Sequence, residues 1–487
     1  MTPPASEPNP RIGILVVAYN AESTLTQVLD RIPRTIDGLT AVLVSDDHSA
    51  DATHDVAEAY GAEHPELPVT AVRQARNLGY GGNQKFGYRW AIDHGLDIVV
   101  LLHGDGQYAP ELLPDMVEPI RAGRADMVNG SRMMNPGDAR RGGMPLYKYV
   151  GNRILTRYQN AVSGLELSEW HSGYRAFAVP ALAQIPFEEN SDDFDFDTEV
   201  LLQLAASGSR IVEIPIPTFY GDEICYVNGM AYAKDVTLDV TRMRLARMGF
   251  GPGAPGTLPE EYEWKQHGDT ARARLAELLV EQPAGEVLDL GCADGAMARV
   301  ARRSGHRVVG IDVEKVPGAE QSVDRLVIAD LDQGLPGSVL DEGRRFSTVV
   351  AADVLEHTRR PDLLLQQLHE VTVGEAALLT SVPNFGHWYP RLRVVFGRFD
   401  YDRRGILDAD HVRFFSRHSF MRMAHQSRWT VERMEAVGLP FEVVDRAGPP
   451  GLADRLRRRL GFLDGWLAER WPSLFAYQFV VELRSAP

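Results

Sequence analysis

The stretch Val99-Val100-Leu101-Leu102-His103-Gly104-Asp105-Gly106-Gln107-Tyr108 is an apolar run that stops abruptly at a carboxylate, an amide and a phenol. Ligands of open α/β sheets bind beyond the carboxyl ends of the strands, so Asp105 stands where a ligand-holding acid belongs. Two earlier apolar runs end in the same way, one in Tyr19-Asn20 and the other in Asp46-Asp47-His48-Ser49. A single acid at a strand end is commonly a helix N-cap, but a succession of them is harder to explain as caps. Asp195, Asp197 and Glu199 form a further acid group; Asp197 and Glu199 suit helix capping, and Asp195 or Asp197 suits a general base.

A separate set of chemistry-bearing residues lies in the second half. Glu286-Val-Leu-Asp-Leu-Gly-Cys-Ala-Asp-Gly295 reads as a strand, a glycine turn and a helix start, the geometry that lets a ligand approach bare backbone. Asp294 and Gly295 sit in that turn. The next strand ends in Asp312, placed to bind a ribose diol. Asp330-Leu331-Asp332 and Asp353-Val-Leu-Glu-His357 follow the two strands after it. His357, His387 and His411 are candidate proton acceptors, each with a hydrogen-bonded structural role as the competing reading. No His/Cys group has zinc-ligand spacing, and Cys292 suits packing better than nucleophilic attack.

The elements that must position these residues alternate strand and helix. Ile12 to Ala18, Val42 to Ser45, Val69 to Arg73, Ile98 to Leu102, Met127 to Asn129 and Ile211 to Ile216 read as strands. Leu25, Val28, Leu29 and Ile32 recur at helical spacing, and Gln84 to His94 reads as a helix. The polar stretch from Arg132 to Gly143 reads as a loop. Met248 to Pro259 is mostly Gly and Pro and reads as a linker, after which the alternation starts afresh at Val287, Arg307, Leu326 and Thr348. The pattern predicts an α/β protein of two doubly wound domains: 11–247, a linker at 248–260, and 261–447. A disordered N-terminus at 1–10 and an amphipathic, aromatic extension at 448–487 flank them.

Hydrophobic residues at 44% and charged residues at 24% match a soluble globular chain, and 487 residues exceed one core. The net charge of −16 argues against a nucleic-acid partner. Two cysteines, Cys225 and Cys292, are too few for a disulfide framework. No run approaches the roughly 20 apolar residues of a spanning helix, so a cytoplasmic protein is expected. Peripheral membrane contact stays open through the arginine-rich segment Leu452 to Leu460.

Val-Ala-Tyr-Asn, Asp-Asp-His-Ser-Ala-Asp, Asn-Leu-Gly-Tyr-Gly-Gly, Gly-Asp-Gly-Gln, Gly-Ser-Arg and Ser-Gly-Tyr-Arg-Ala-Phe, in that order, resemble family 2 glycosyltransferases, nearest the polyprenyl-phosphate sugar transferase branch. The resemblance covers roughly the first half and implies a GT-A fold and an inverting reaction. It places Tyr19, Asn20, Asp46, Asp47, Gly79 and Gln107 around a UDP- or GDP-linked sugar, with Asp46 and Asp47 on base and ribose and Gln107 near the diphosphate. Asp105 would bind Mg2+ or Mn2+, hard cations that prefer carboxylate and phosphate oxygens. His103 stands where the family commonly has a second carboxylate, and either contacts ribose or metal or merely packs. Arg132 and Arg175 would lie near phosphate groups.

The second set resembles class I S-adenosylmethionine-dependent methyltransferases of Rossmann-like fold, over about Tyr262 to Asp445. By position, Asp289 and Gly291 would line the methionine part of the cofactor, Asp312 the ribose, and Asp330 with Leu331 the adenine, with Asp353 beside them. The dinucleotide-oxidoreductase reading falls behind because the turn is Gly-Cys-Ala-Asp-Gly rather than Gly-x-Gly-x-x-Gly. The expectation is a bifunctional enzyme: metal-dependent sugar transfer to a lipid phosphate, glycan, glycolipid or small-molecule acceptor, and methylation, most simply on oxygen, in the same pathway. The alternatives are one active domain with the other a scaffold, or a nucleotide-sugar binding module.

Overall fold

The computed structural model describes residues 9–219, 229–248, 250–251, 270–341, 343–402, 405–439 and 452–486, without the side chains of 247 and 452–460. They divide into two compact units, one ending at Arg244 and the other holding Leu245 to Gly251 and everything from Thr270 onward.

In the first unit, β1 (Ile12–Ala18), β2 (Leu39–Asp46), β3 (Val69–Arg73), β4 (Ile98–His103), β5 (Met127–Ser131), β6 (Arg175–Ala178) and β7 (Ile211–Pro215) form one sheet in the order β3-β2-β1-β4-β6-β5-β7. All neighbours are parallel except β6, which runs antiparallel to β4 and β5. Every residue of β1 is buried, which explains its unbroken apolar run: both faces are covered. Ile12, Ile14 and Val16 pack with Val42, Val44, Val100 and Leu102 on one face, and Leu15 and Val17 with Leu43, Val99 and Leu101 on the other.

The second unit repeats the class with β8 (Glu286–Leu290), β9 (Arg307–Asp312), β10 (Arg325–Ile328), β11 (Phe346–Ala352), β12 (Thr372–Pro383), β13 (Trp429–Val437) and β14 (Gln478–Ser485). The order is β10-β9-β8-β11-β12-β14-β13, with β14 antiparallel to both neighbours. Both units are doubly wound α/β, as the sequence pattern predicts.

Three boundaries differ from the sequence expectation. Residues 478–485, expected in an extension, form a strand inside the second sheet, with Phe479, Val480, Val481 and Leu483 fully buried. The start of the expected linker is packed rather than free, because Met248 and Phe250 are buried and the Phe250 ring lies 4.5 Å from that of Tyr389. The expected loop from Arg132 to Gly143 holds a helical turn at Asp138–Arg141 with Ala139 buried. Residues 1–8, Cys225, 252–260 of the linker and the side chains of Leu452 to Leu460 lie outside the described residues; the backbone of the last is helical within Leu452–Arg470.

Candidate functional site

Strand register gathers the first site. Ala18 is level with Asp46, Val17 with His103, and Asp46 with Arg73. The ends of β1, β2, β3 and β4 therefore form one rim, and the order reverses between β1 and β4, where such sheets open a crevice. Tyr19 and Asn20 flank that crevice on one side and Gly104 and Asp105 on the other. Tyr19 is exposed. Asn20, at φ +51°, accepts from the Ala50 N–H at 3.0 Å and donates its own N–H to Ser49 Oγ at 2.8 Å.

The acids of the rim divide sharply. Asp105 is exposed and accepts the Gln107 N–H at 3.0 Å. Asp46 is 1% exposed; its Oδ1 accepts from the Ser49 N–H and hydroxyl, and its Oδ2 has no hydrogen-bond partner, with Arg73 Nε 3.7 Å away. Asp47 accepts from the Leu78 N–H at 2.6 Å and the Gly79 N–H at 3.1 Å, and burial pushes its carboxyl above the ordinary range. Gly79 holds φ +83° with the Asp192 carbonyl 2.6 Å from where a Cβ would stand. Its missing side chain admits the backbone of the Asp192 segment.

Behind Asp105 the other expected residues are committed to one another. Arg175, 0% exposed, donates to the carbonyls of Trp170, Ser172 and Asp197, so it does not reach a phosphate. Asp197 is not the expected N-cap, which is Asp195 without a side-chain cap bond. Nor is its carboxylate free to act as a base: it accepts the Tyr80 hydroxyl at 2.9 Å and Gln84 Nε2 at 3.3 Å, with Arg175 Nη1 at 3.5 Å. His103 Nε2 lies 3.2 Å from the Tyr80 hydroxyl, and burial lowers the ring's basicity. A neutral, packed imidazole fits better than a metal ligand through that nitrogen. Asp195 is half-buried and remains beside Glu199, whose carboxyl burial pushes up to about 7.

Glu169 was missed by sequence reasoning. It is 0% exposed, accepts the Arg132 N–H at 2.7 Å and Nε at 3.0 Å, and takes Asn152 Nδ2 at 2.8 Å. Burial alone would raise its pKa, but Arg132 and these hydrogen bonds hold it below the ordinary range. Arg132 also donates to the His171 carbonyl at 2.9 Å. An acid among Leu165, Leu167 and Trp170 was the available signal.

In the second unit Gly291, at φ +62°, follows β8, Asp312 ends β9, and Asp353, at φ +55°, follows β11, again where the order reverses. Asp289 is buried with Oδ2 unpartnered, and burial pushes its carboxyl up to about 7. Asp312 accepts from the Ala293 N–H at 2.8 Å and the Glu314 N–H at 3.2 Å. Asp353 accepts the Ser381 hydroxyl at 2.5 Å, bonds to Gln478, and lies 3.9 Å from Arg272; these three partners were not foreseen. Asp294 pairs with Arg299 at 2.6 Å, and Gly295 begins the helix Ala296–Arg303. Asp330 is exposed and Leu331 half-buried. Cys292 is buried and its thiol is pushed up to about 12, which removes it as a nucleophile. His387 caps the helix Trp388–Val395, and burial lowers it to about 4.

Each unit thus has a crevice at a strand-order switch, the first acid-rimmed and the second built on a glycine turn. Residues 13–184 match the model of glycosyl transferase family 2, and residues 263–433 match a methyltransferase domain. The chain is 32% identical over 239 residues to an undecaprenyl-phosphate mannosyltransferase of Micrococcus luteus, covering 48% of this chain and 95% of that protein. It is 28% identical to a UDP-N-acetylglucosamine–dolichyl-phosphate N-acetylglucosaminyltransferase of Methanococcus voltae, covering 43% and 86%. Similar solved structures include glucosyl-3-phosphoglycerate synthase of Mycobacterium tuberculosis with Mn2+, UDP-glucose and phosphoglyceric acid, at 21% identity, 48% and 79% coverage and TM-score 0.36. A methyltransferase of Archaeoglobus fulgidus is similar at 13%, 44% and 95% coverage and TM-score 0.31. The chain belongs to glycosyltransferase family 2 through its N-terminal half and carries a methyltransferase domain in the other; both are enzyme domains. Among the described residues no helix is long and apolar enough to cross a membrane.

Proposed function

We propose that the first unit transfers a sugar, with inversion, from a nucleoside diphosphate sugar to a lipid-borne phosphate, and that the second methylates oxygen on a product of the same pathway. The observation that carries the first half is the contrast within the rim: Asp105 is exposed, while Asp46 and Asp47 are buried, as is Asp197 behind it. Asp105 would hold a divalent cation together with diphosphate and water oxygens, which suits a lone carboxylate. Such a cation neutralises charge on the departing nucleotide. Tyr19 offers a face for the base, and Asn20 fixes the adjoining loop. Arg132, held by Glu169, orders the inner wall.

An acceptor phosphate has its second pKa near 6 and is already ionised at neutral pH, so it needs no general base. That agrees with the commitment of Asp197 to Tyr80 and Arg175. The helix Leu146–Ser163 supports a lipid-borne acceptor further. It exposes Leu146, Val150, Ile154 and Tyr158 at four-residue spacing, while Asn152 on the same helix reaches Glu169. From Met133 to Ser163 the chain carries five cations (Arg140, Arg141, Lys148, Arg153, Arg157) and one carboxylate, against a net −16 overall. An apolar stripe with basic flanks suits an anionic bilayer surface.

In the second unit Asp289 would face the ammonium of S-adenosylmethionine and Asp312 its ribose, with Asp330 and Leu331 beside the adenine. The cofactor supplies an electrophilic methyl group; positioning by these residues does most of the rest. A buried, unpartnered carboxylate at Asp289 is the fit that supports this. The test is transfer from a panel of UDP- and GDP-sugars to polyprenyl phosphate in anionic vesicles, with Mn2+ present or chelated. Transfer that needs Mn2+ and falls at least tenfold in Asp105→Ala is expected, with vesicle binding weakened by Val150→Glu plus Ile154→Glu. Equal transfer to a soluble sugar hydroxyl without lipid would overturn the acceptor assignment.

A further inference from the structure

Two of the candidate proton acceptors, His357 and His411, belong with Glu356 to a cluster beside the methyl-donor crevice. The segment leaving β11 is pinned at Asp353, and three residues on it turns Glu356 inward. Glu356 is 1% exposed and neither carboxylate oxygen has a hydrogen-bond partner. Its backbone carbonyl accepts the N–H groups of Val412 at 3.0 Å and Arg413 at 2.9 Å, which brings the buried His411 alongside. The His357 and His411 rings meet edge to face with centroids 4.8 Å apart. One ligand atom from each of Glu356, His357 and His411 lies within 4.8 Å of the other two, the sole such group of three among the described residues.

The two imidazoles are oriented alike. His357 Nδ1 faces the Asp410 carbonyl at 3.1 Å, and His411 Nδ1 faces the Ile406 carbonyl at 3.3 Å. A carbonyl only accepts, so both Nδ1 atoms carry the hydrogen and both Nε2 atoms keep a lone pair. Metal-ligating histidines are held in this way by an outer carbonyl. A buried carboxylate with no donor is costly unless a cation meets it.

We propose that Glu356, His357 and His411 form a three-ligand site for a divalent transition cation, whose open positions take neighbouring oxygens of the methyl acceptor. Two imidazoles and one carboxylate suit Zn2+, Mn2+, Fe2+ or Co2+, with Mg2+ disfavoured by the nitrogen ligands. The exposed His357 is the ligand free to close the remaining distance. The acceptor role rests on the methyl-transfer reading of this unit; the metal site does not. In that role an acceptor hydroxyl bound to the cation loses its proton to solvent. Its oxygen then forms a bond to the methyl carbon as the carbon–sulfur bond breaks, leaving the ether and the neutral thioether S-adenosylhomocysteine.

The test uses the full chain, stripped with chelator and titrated with Co2+ alone, following visible d–d absorption. Wild type and Asp105→Ala are expected to bind one Co2+ with the spectrum of a mixed nitrogen–oxygen site. Glu356→Gln and His357→Ala should weaken it about tenfold or more, the second being an exposed position that leaves the fold intact. No d–d spectrum in wild type, or an unchanged one in both variants, would overturn the site. If Co2+ binds as expected but the stripped enzyme methylates as fast as the loaded one, the acceptor role is overturned while the site stands.

Discussion

Replacing Glu169 by Gln keeps shape and removes one charge from a deeply buried ion pair of the first unit. Glu169 is fully buried, and Arg132, 11% exposed in its side chain, donates to it from its backbone N–H, Nε and Nη2, with Asn152 adding a further donor. Removing one partner of such a pair leaves a buried charge uncompensated and costs about 3 kcal/mol or more. For a unit of this size each kcal/mol corresponds to about 2–4 °C, so the unit's melting temperature should fall by about 6–12 °C. The pH dependence gives a second check. Native Glu169 titrates below its ordinary 4.5, so the unfolded chain binds the proton first as pH falls. Its stabilisation is therefore complete above pH 4.5 and is lost as pH drops through the native value, where wild type and variant should converge. Calorimetry of both proteins at pH 7 and at acid pH reads this directly. A shift under 2 °C at pH 7 would refute the account of Arg132 as a side chain held by this pair.

Two further outcomes follow from named groups. Asp289 titrates near 7 against an ordinary 3.8, so the native apo state holds a proton that the unfolded chain releases, and apo stability should fall as pH rises through that window. A bound ammonium would reverse the shift, so S-adenosylmethionine binding should release a proton near pH 6.5 and tighten with rising pH, measured by calorimetry in buffers of different ionisation heat; the same proton release in Asp289→Asn would refute it. Gly79→Ala places a Cβ 2.6 Å from the Asp192 carbonyl at φ +83°, and should destabilise by about 2 kcal/mol in denaturant unfolding, whereas an unchanged midpoint would contradict the close approach.

The fold class was legible because it is written locally. A strand buried on both faces is an unbroken apolar run, as in β1 and β4, and an acid just past it marks the carboxyl end whatever the rest of the chain does. Asp105 and the Gly291 turn belong to this kind of information. Strand insertion does not. Residues 478–485 are apolar enough to be a strand or a packed tail; what makes them β14 is that Leu483 pairs with Leu378 on one side and Val431 on the other.

The same division runs through the sites. Residue type and spacing alone determined that acids gather at strand ends, that a glycine turn precedes a helix, and that the chain holds two α/β units. Only the tertiary structure decided which of those side chains are still available. Asp197 and Arg175 neutralise each other behind the crevice, Asp47 and Gly79 spend themselves on backbone, Glu169 appears as the partner of Arg132, and Glu356, His357 and His411 converge. The physical reason is that a charge is free or spent according to what packs against it, and those partners come from segments tens of residues away.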